Sequence, residues 1–223
     1  GPRVILTNNS GRTLTLTQNR TLFVRAKSGL YGIDASNGKV KWRRFVRGND
    51  QTELISISDS ANGSTGEPDC ILTEASIGQI TRLSATDGSV MWSIDFGCNT
   101  FAPMLERALL YVTDAKGRLT CINTDSGTVR WCQQLPQAAA CGPSLGQLKS
   151  SMFNVGESSN LYTMSRKDGS CSSVFYLGHN PKTISIAPIV LLSKLLIFEN
   201  AGPDYSQIRV FSIKQDESGV EPA

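Results

Sequence analysis

The chain has a single histidine, no adjacent cysteine pair and no C-x-x-C spacing, and each absence closes a class of chemistry. One His cannot build a multi-histidine metal centre, and a Ser-His-Asp triad would rest on His179 alone. His179 lies in Leu177-Gly178-His179-Asn180-Pro181, a Gly/Asn/Pro segment that reads as a loop. No G-x-S-x-G, phosphate-loop or EF-hand pattern occurs, and Gly178 and Gly202 mark turns rather than phosphate cradles. No apolar run approaches the ~18 residues of a membrane-spanning helix. The longest, Ile184 to Phe198, is interrupted by Pro188, Ser193 and Lys194 and reads as two strands joined by a turn. Charge is sparse at 18%, and the net charge of +3 is spread without a basic cluster, which excludes a nucleic-acid surface. Lys39-Val40-Lys41 and Arg43-Arg44 read as solvated strand faces. There is no initiator Met and no signal peptide, and Gly1-Pro2 has the look of a protease scar, so the expectation is a piece of a longer protein with further domains.

What the chain does contain is a repeat. Three times a strand, a Gly turn and a second strand end on a Trp: Ser28 to Trp42, Ile77 to Trp92 and Lys116 to Trp131. The turn glycines, Gly38, Gly88 and Gly127, each fall four residues before the Trp. The Trp spacings are 50 and 39, and the longer one holds a polar segment of 11 residues, 58–68, with no apolar period. Without that segment both spacings are 39, in the range of propeller blades. The segment is also the one obvious surface decoration and a candidate contact loop.

Each period parses into four strands. In the third they are Thr100–Leu105, Ala108–Thr113, Arg118–Asn123 and Thr128–Gln134, with apolar and polar residues alternating at period two. Asn37-Gly38, Asp87-Gly88 and Ser126-Gly127 are turn pairs that accept positive φ. A fourth unit is degenerate: Ser151–Val155 and Leu161–Ser165 are its strands, Asp168-Gly169 its turn, and Ser173 stands in the Trp position. A fifth has Thr183–Ala187, Lys194–Glu199 and Gln207–Ile213, and the chain stops before an outer strand is expected. Val4–Thr7, within 3–7, is a candidate to complete that last unit. The expected architecture is therefore all-β: one propeller domain over 1–223 of four-stranded antiparallel blades at about 12–47, 51–96, 100–135, 142–177 and 183–223. It is either a closed five-blade ring or part of a larger propeller.

A lone sheet cannot bury both faces, and stacking sheets does so. A Trp on the outer strand fills the wedge between two sheets, and its indole N–H can reach a carbonyl across the seam. Trp42, Trp92 and Trp131, with Gly38, Gly88 and Gly127, are accordingly the expected docking residues. Among the six cysteines, Cys121 and Cys132 flank one turn and are a candidate disulfide; Cys132 with Cys141 is an alternative, and free buried thiols a third reading. The sequons at Asn8, Asn19 and Asn62 are no more than chance provides in a chain this rich in Asn, Ser and Thr.

The strand, polar residue, Gly turn and Trp resemble the PQQ-like, or quinoprotein-type, β-propeller repeat: Asp34, Gly38 and Trp42; Ser84, Gly88 and Trp92; Asn123, Gly127 and Trp131. That family prefers Ala two residues before the polar position, where this chain has Gly32, Arg82 and Cys121. The resemblance implies a quinone cofactor only where an adjacent Cys pair, calcium ligands and an Asp base are present. Asp95, Asp114 and Asp204 match the acidic groups by type alone and read as turn or strand-end residues. No cofactor or metal is expected. The resemblance implies a non-catalytic, BamB-like scaffold presenting loops and blade edges to a protein partner, in a periplasmic, exported or luminal setting. The alternatives are a quinone-dependent dehydrogenase and a sensor of a sugar or peptide.

Overall fold

In a computed structural model the chain forms five four-stranded antiparallel sheets, each a simple meander. The structure describes residues 14–16, 21–26, 29–46, 52–56, 70–147, 150–200, 202 and 205–223. The first sheet is β1 (Leu14–Leu16), β2 (Thr21–Ala26), β3 (Gly29–Asp34) and β4 (Val40–Phe45). The second is β5 (Thr52–Ser56), β6 (Cys70–Glu74), β7 (Gln79–Leu83) and β8 (Val90–Asp95). The third is β9 (Met104–Glu106), β10 (Leu109–Thr113), β11 (Arg118–Asn123) and β12 (Val129–Gln134). The fourth is β13 (Ser144–Leu145), β14 (Ser151–Val155), β15 (Asn160–Ser165) and β16 (Cys171–Tyr176). The fifth is β17 (Ile189–Leu191), β18 (Lys194–Glu199), β19 (Gln207–Ile213) and β20 (Val220–Pro222). The chain divides into two compact units, Gly1–Asn99 with the first two sheets and Thr100–Ala223 with the last three.

Within each unit the core lies between sheets. Phe23, Leu30 and Trp42 of the first sheet pack with Leu72, Leu83 and Ala85 of the second. Tyr111, Leu119 and Cys121 of the third meet Met152, Tyr162 and Met164 of the fourth. Phe153, Val155 and Leu161 of the fourth meet Leu195, Ile197, Phe211 and Ile213 of the fifth. The middle strands carry the load: β14 is buried along its whole length, whereas the fourth strands β8, β12 and β16 are exposed at alternate positions or more. The opposite face of the fifth sheet sets Ile189, Leu196 and Val210 in one row across three strands, with Ile189 and Val210 exposed.

Two expectations for the fifth sheet are corrected. It has its own fourth strand, β20, which pairs Val220 with Ile213 and Pro222 with Phe211. Pro222 is tolerated there because an edge strand needs no further donor. Its first strand is Ile189–Leu191, not Thr183–Ala187, and the turn lies at Leu192-Ser193, with Leu192 at φ 53. Pro188 stands immediately before the strand, where a missing N–H costs no ladder bond. Residues 3–7 and 58–68, the three sequons and Asp204 lie outside the described residues.

Candidate functional site

The turns between third and fourth strands are built alike in the first four sheets and control the seams. In each, the first polar residue accepts a backbone N–H two residues on: Asp34 from Ser36 at 2.8 Å, Ser84 from Thr86 at 3.2 Å, Asn123 from Asp125 at 2.9 Å and Ser165 from Lys167 at 3.3 Å. A second side chain three residues later repeats this: Asn37 to Lys39, Asp87 to Ser89, Ser126 to Thr128 and Asp168 to Ser170. Gly38, Gly88, Gly127 and Gly169 follow at φ 70 to 74, the left-handed conformation that closes the turn.

These turns receive the Trp of the preceding sheet. Trp42, 9% exposed, donates its indole N–H to Ala85 O at 2.9 Å, and Trp131 donates to Arg166 O at 3.0 Å. Ala85 and Arg166 hold the same place in their turns, so the docking is one rule applied twice. Two residues beyond each Trp a second donor reaches the same turn: Arg44 to Gly88 O at 2.9 Å and Gln133 to Asp168 O at 3.4 Å. At the fourth seam, where Ser173 replaces Trp, Ser172 Oγ donates to Ser218 O at 3.2 Å and Phe175 meets Phe211 edge-on at 5.2 Å. Trp92 is half-buried on β8, paired across the strands with Arg82.

Two features of the seam were not visible in the sequence. The residue opposite each Trp position is the one two places before the turn's first polar residue: Gly32 to Trp42, Arg82 to Trp92, Cys121 to Trp131 and Thr163 to Ser173. A Cβ at Gly32 would stand 2.2 Å from Cε2 of Trp42, so glycine leaves the room that this ring takes. The fourth strands of the first four sheets also have a β-bulge immediately before the Trp position, with the register shifting past Lys41, Met91, Arg130 and Ser172. A bulge re-aims a side chain. Lys41 reaches Thr21 Oγ1 at 2.9 Å, Ser172 reaches the next turn, and Arg130 lines a cavity.

That cavity, about 610 Å³, lies on the turn edge of the seam between the third and fourth sheets. One wall is the β9–β10 turn, Glu106-Arg107-Ala108; the other is the β15–β16 turn, Ser165-Arg166-Lys167, with Tyr111 and Arg130 between them. Arg166 is 4% exposed and held at three points: Nη1 to Glu106 at 2.7 Å, Nε to Ser151 O at 2.6 Å, and Nη2 to Gly146 O. A buried charge needs such full pairing. Burial pushes the Tyr111 hydroxyl up to about 12, so it stays neutral.

A family model described as outer membrane protein assembly factor BamB matches residues 3–95 and 76–183. The chain belongs to this family of PQQ-like β-propeller repeats. Among solved structures, BamB from Moraxella catarrhalis aligns at TM-score 0.60 and 13% identity, over 95% of this chain and 75% of that one. The computationally designed Ika8 protein aligns at TM-score 0.63 and 13% identity, over 90% and 57%. Sqt1 of Saccharomyces cerevisiae aligns at TM-score 0.67 and 12% identity, over 91% and 57%. At these identities the structures speak for the fold alone. A comparison with curated protein sequences returns no match.

Against this BamB-like frame, the acidic candidates resolve into turn residues. Asp114, fully buried, accepts the N–H groups of Lys116 at 3.0 Å and Arg118 at 2.9 Å and pairs with Arg118 Nε at 2.9 Å. Asp95 accepts the Gly97 N–H at 2.8 Å. His179 lies in its loop as expected, buried, with Nε2 donating to Gly156 O at 3.0 Å; burial holds its pKa below the ordinary value. No group of three or more His, Cys, Asp or Glu side chains is placed to hold a metal among the described residues. The candidate disulfide between Cys121 and Cys132 is corrected: both are free thiols, as is Cys141. Cys121 pairs with Trp131 and Cys132 with Thr120, so successive register positions put the two thiols on opposite faces of the sheet.

Proposed function

We propose that the chain is a non-enzymatic propeller scaffold, five blades in one domain, that presents turns and blade edges to a protein partner in an exported or envelope assembly. The observation that carries this reading is where the polar groups are used. Carboxylates of the type a quinone–calcium centre would need, Asp95 and Asp114, are engaged in capping turns, while the built polar cavity lies on a turn edge and is lined by arginines. Stably held turns on a rigid sheet stack suit recognition. The family description and the name of the Moraxella structure, a BamB, support the assembly role and the envelope setting.

The test has two arms. Purified protein is titrated with PQQ and calcium and followed by absorbance and metal content; no stoichiometric uptake is expected, and tight binding overturns the scaffold reading. A photo-crosslinking amino acid is then placed in the parent protein, in its own cells, at the exposed turn positions Lys39, Asp87, Ser126 and Lys167. Discrete protein adducts of constant mass in the envelope fraction are expected from neighbouring positions. Their absence from all four overturns it. One calorimetric unfolding transition is expected for the isolated chain, and two independent transitions would dismiss the single domain.

A further inference from the structure

The cavity between the third and fourth sheets has a charge imbalance. Its walls carry Arg107, Arg130, Arg166 and Lys167 against one carboxylate, Glu106. That carboxylate is taken by Arg166, whose guanidinium is fixed on all three nitrogens. The pair therefore acts as a rigid wall and leaves three cations over. Arg107 and Arg130 are exposed and make no ion pair among the described residues; Lys167 lends its field to Asp168 as the weakest of several influences there. Arg107 is held at φ 52, a conformation uncommon for a residue with a side chain, on the turn that forms one rim. Arg130 is the bulge residue of β12, and the bulge brings it into the cavity beside Tyr111 and Leu109. The equivalent bulge residues are Lys41, already bonded to Thr21, then Met91 and Ser172, so among the described bulge residues only Arg130 is a guanidinium, and it lines the cavity together with Arg107.

We propose that this cavity binds an acidic peptide segment of a protein partner, with carboxylates on Arg107, Arg130 and Lys167 and the chain backbone lying over Leu109. The proposal deepens the scaffold reading and rests on it. Two guanidiniums present planar donor forks suited to carboxylates, and bidentate pairs are stronger and more directional than ammonium contacts. The apolar floor favours a peptide over a small inorganic anion, because covering the half-buried Leu109 adds a contribution that phosphate cannot make. The neutral Tyr111 adds no opposing charge. The single cavity has an extent of a few side chains, which fits an extended segment rather than a nucleic-acid backbone tracked over many phosphates.

The probe is a fluorescein-labelled hexaglutamate peptide, read by anisotropy, with a hexaglutamine peptide as the uncharged control. Expected is saturable binding of hexaglutamate only, weakened at least tenfold by Arg107→Glu with Arg130→Glu. Lys39→Glu with Arg43→Glu makes the same change in net charge on exposed positions outside the cavity and should leave affinity within about twofold. Equal loss in the two double variants means diffuse attraction to a basic protein and overturns the site. So does equal binding of hexaglutamine, or stoichiometric binding of inorganic phosphate or single-stranded DNA that the cavity variant abolishes while hexaglutamate shows none. Both cations are exposed, so melting temperatures of the variants should match the parent chain and exclude misfolding as the cause. If crosslinked adducts persist in cells with the Arg107/Arg130 double variant unchanged, only the site fails. If no adducts form but hexaglutamate binds as described, only the scaffold role fails.

Discussion

Gly169 in the β15–β16 turn lies beneath the indole of Trp131 on β12: a Cβ added to Gly169 would stand 2.7 Å from Cε3 of the ring. Gly88 stands to Trp42 in the same way, at 2.6 Å from Cδ2. Each glycine thus has two roles, a left-handed backbone and a floor for the preceding sheet's Trp.

Gly38 separates those roles. It has φ 74, but a Cβ there meets nothing within 4 Å. Gly38→Ala should therefore cost only the backbone term, ~1 kcal/mol. Gly88→Ala and Gly169→Ala should cost ~2–4 kcal/mol, because overpacking adds to the same backbone term. Urea unfolding of the three variants reads this directly, and equal losses would refute the floor role.

The Trp residues should rank by burial. Trp42→Ala removes a 9% exposed ring and its bond to Ala85 O and should cost ~3–5 kcal/mol. Trp131 is less buried, so Trp131→Ala should cost less. Trp42→Phe keeps most of the area but orphans a carbonyl, at ~1–3 kcal/mol. In a Trp131→Ala background, the cost of Gly169→Ala should fall toward the Gly38 value, with Gln133 Cγ at 2.6 Å as the remaining neighbour, a coupling that a double-mutant cycle measures. Additive losses would show that ring and glycine act separately.

The repeat was legible because Gly and Trp carry unambiguous constraints at a fixed offset, and the seam docking of Trp42 and Trp131 follows from that pattern. What escaped has a physical cause in each case. The bulges at Lys41, Met91, Arg130 and Ser172 leave no sequence mark, since any residue can occupy them. Without the register, Cys121 and Cys132 look like neighbours across a turn, although one residue of offset puts them on opposite faces. Pro188, Ser193 and Lys194 all interrupt the last apolar run, and the first strand is expected before Pro188; it follows the proline instead and ends at a turn where Leu192 takes a left-handed conformation. The arginine-lined cavity joins Arg107, Arg130 and Arg166, far apart in the chain, and only sheet stacking brings them together.

Thiol accessibility should follow the same two-faced sheets. Cys132 and Cys171 are exposed, Cys98 is half-buried, and Cys70, Cys121 and Cys141 are buried. Burial pushes the Cys121 thiol up to about 11 and Cys141 up to about 12, which removes the reactive thiolate at neutral pH. Titration with a thiol reagent at pH 8 should show Cys132 and Cys171 reacting first, Cys98 later, and the other three only on unfolding. Protection of Cys132 together with Cys121 against reagent in denaturant, lifted by reductant, would restore the disulfide.

Acid stability should report the turns. The backbone N–H and hydroxyl of Ser170, then Ser165, hold the Asp168 carboxyl down at about 2, and Ser partners lower Asp34, Asp87 and Asp216 in the same direction. The charged carboxylate is the form that caps the turn, so the unfolded chain binds the proton more readily. Its stabilisation is then complete above the ordinary value of 3.8 and is lost as pH falls from there toward 2. Asp168→Asn keeps an acceptor, as Asn37 does in the first turn, but cannot titrate. The variant should thus lose less stability than the parent between about pH 4 and 2, while Asp168→Ala should lose the cap at every pH. Urea midpoints across that range decide it: parallel profiles for the parent and Asp168→Asn would mean that the carboxylate's charge plays no part in holding the turn.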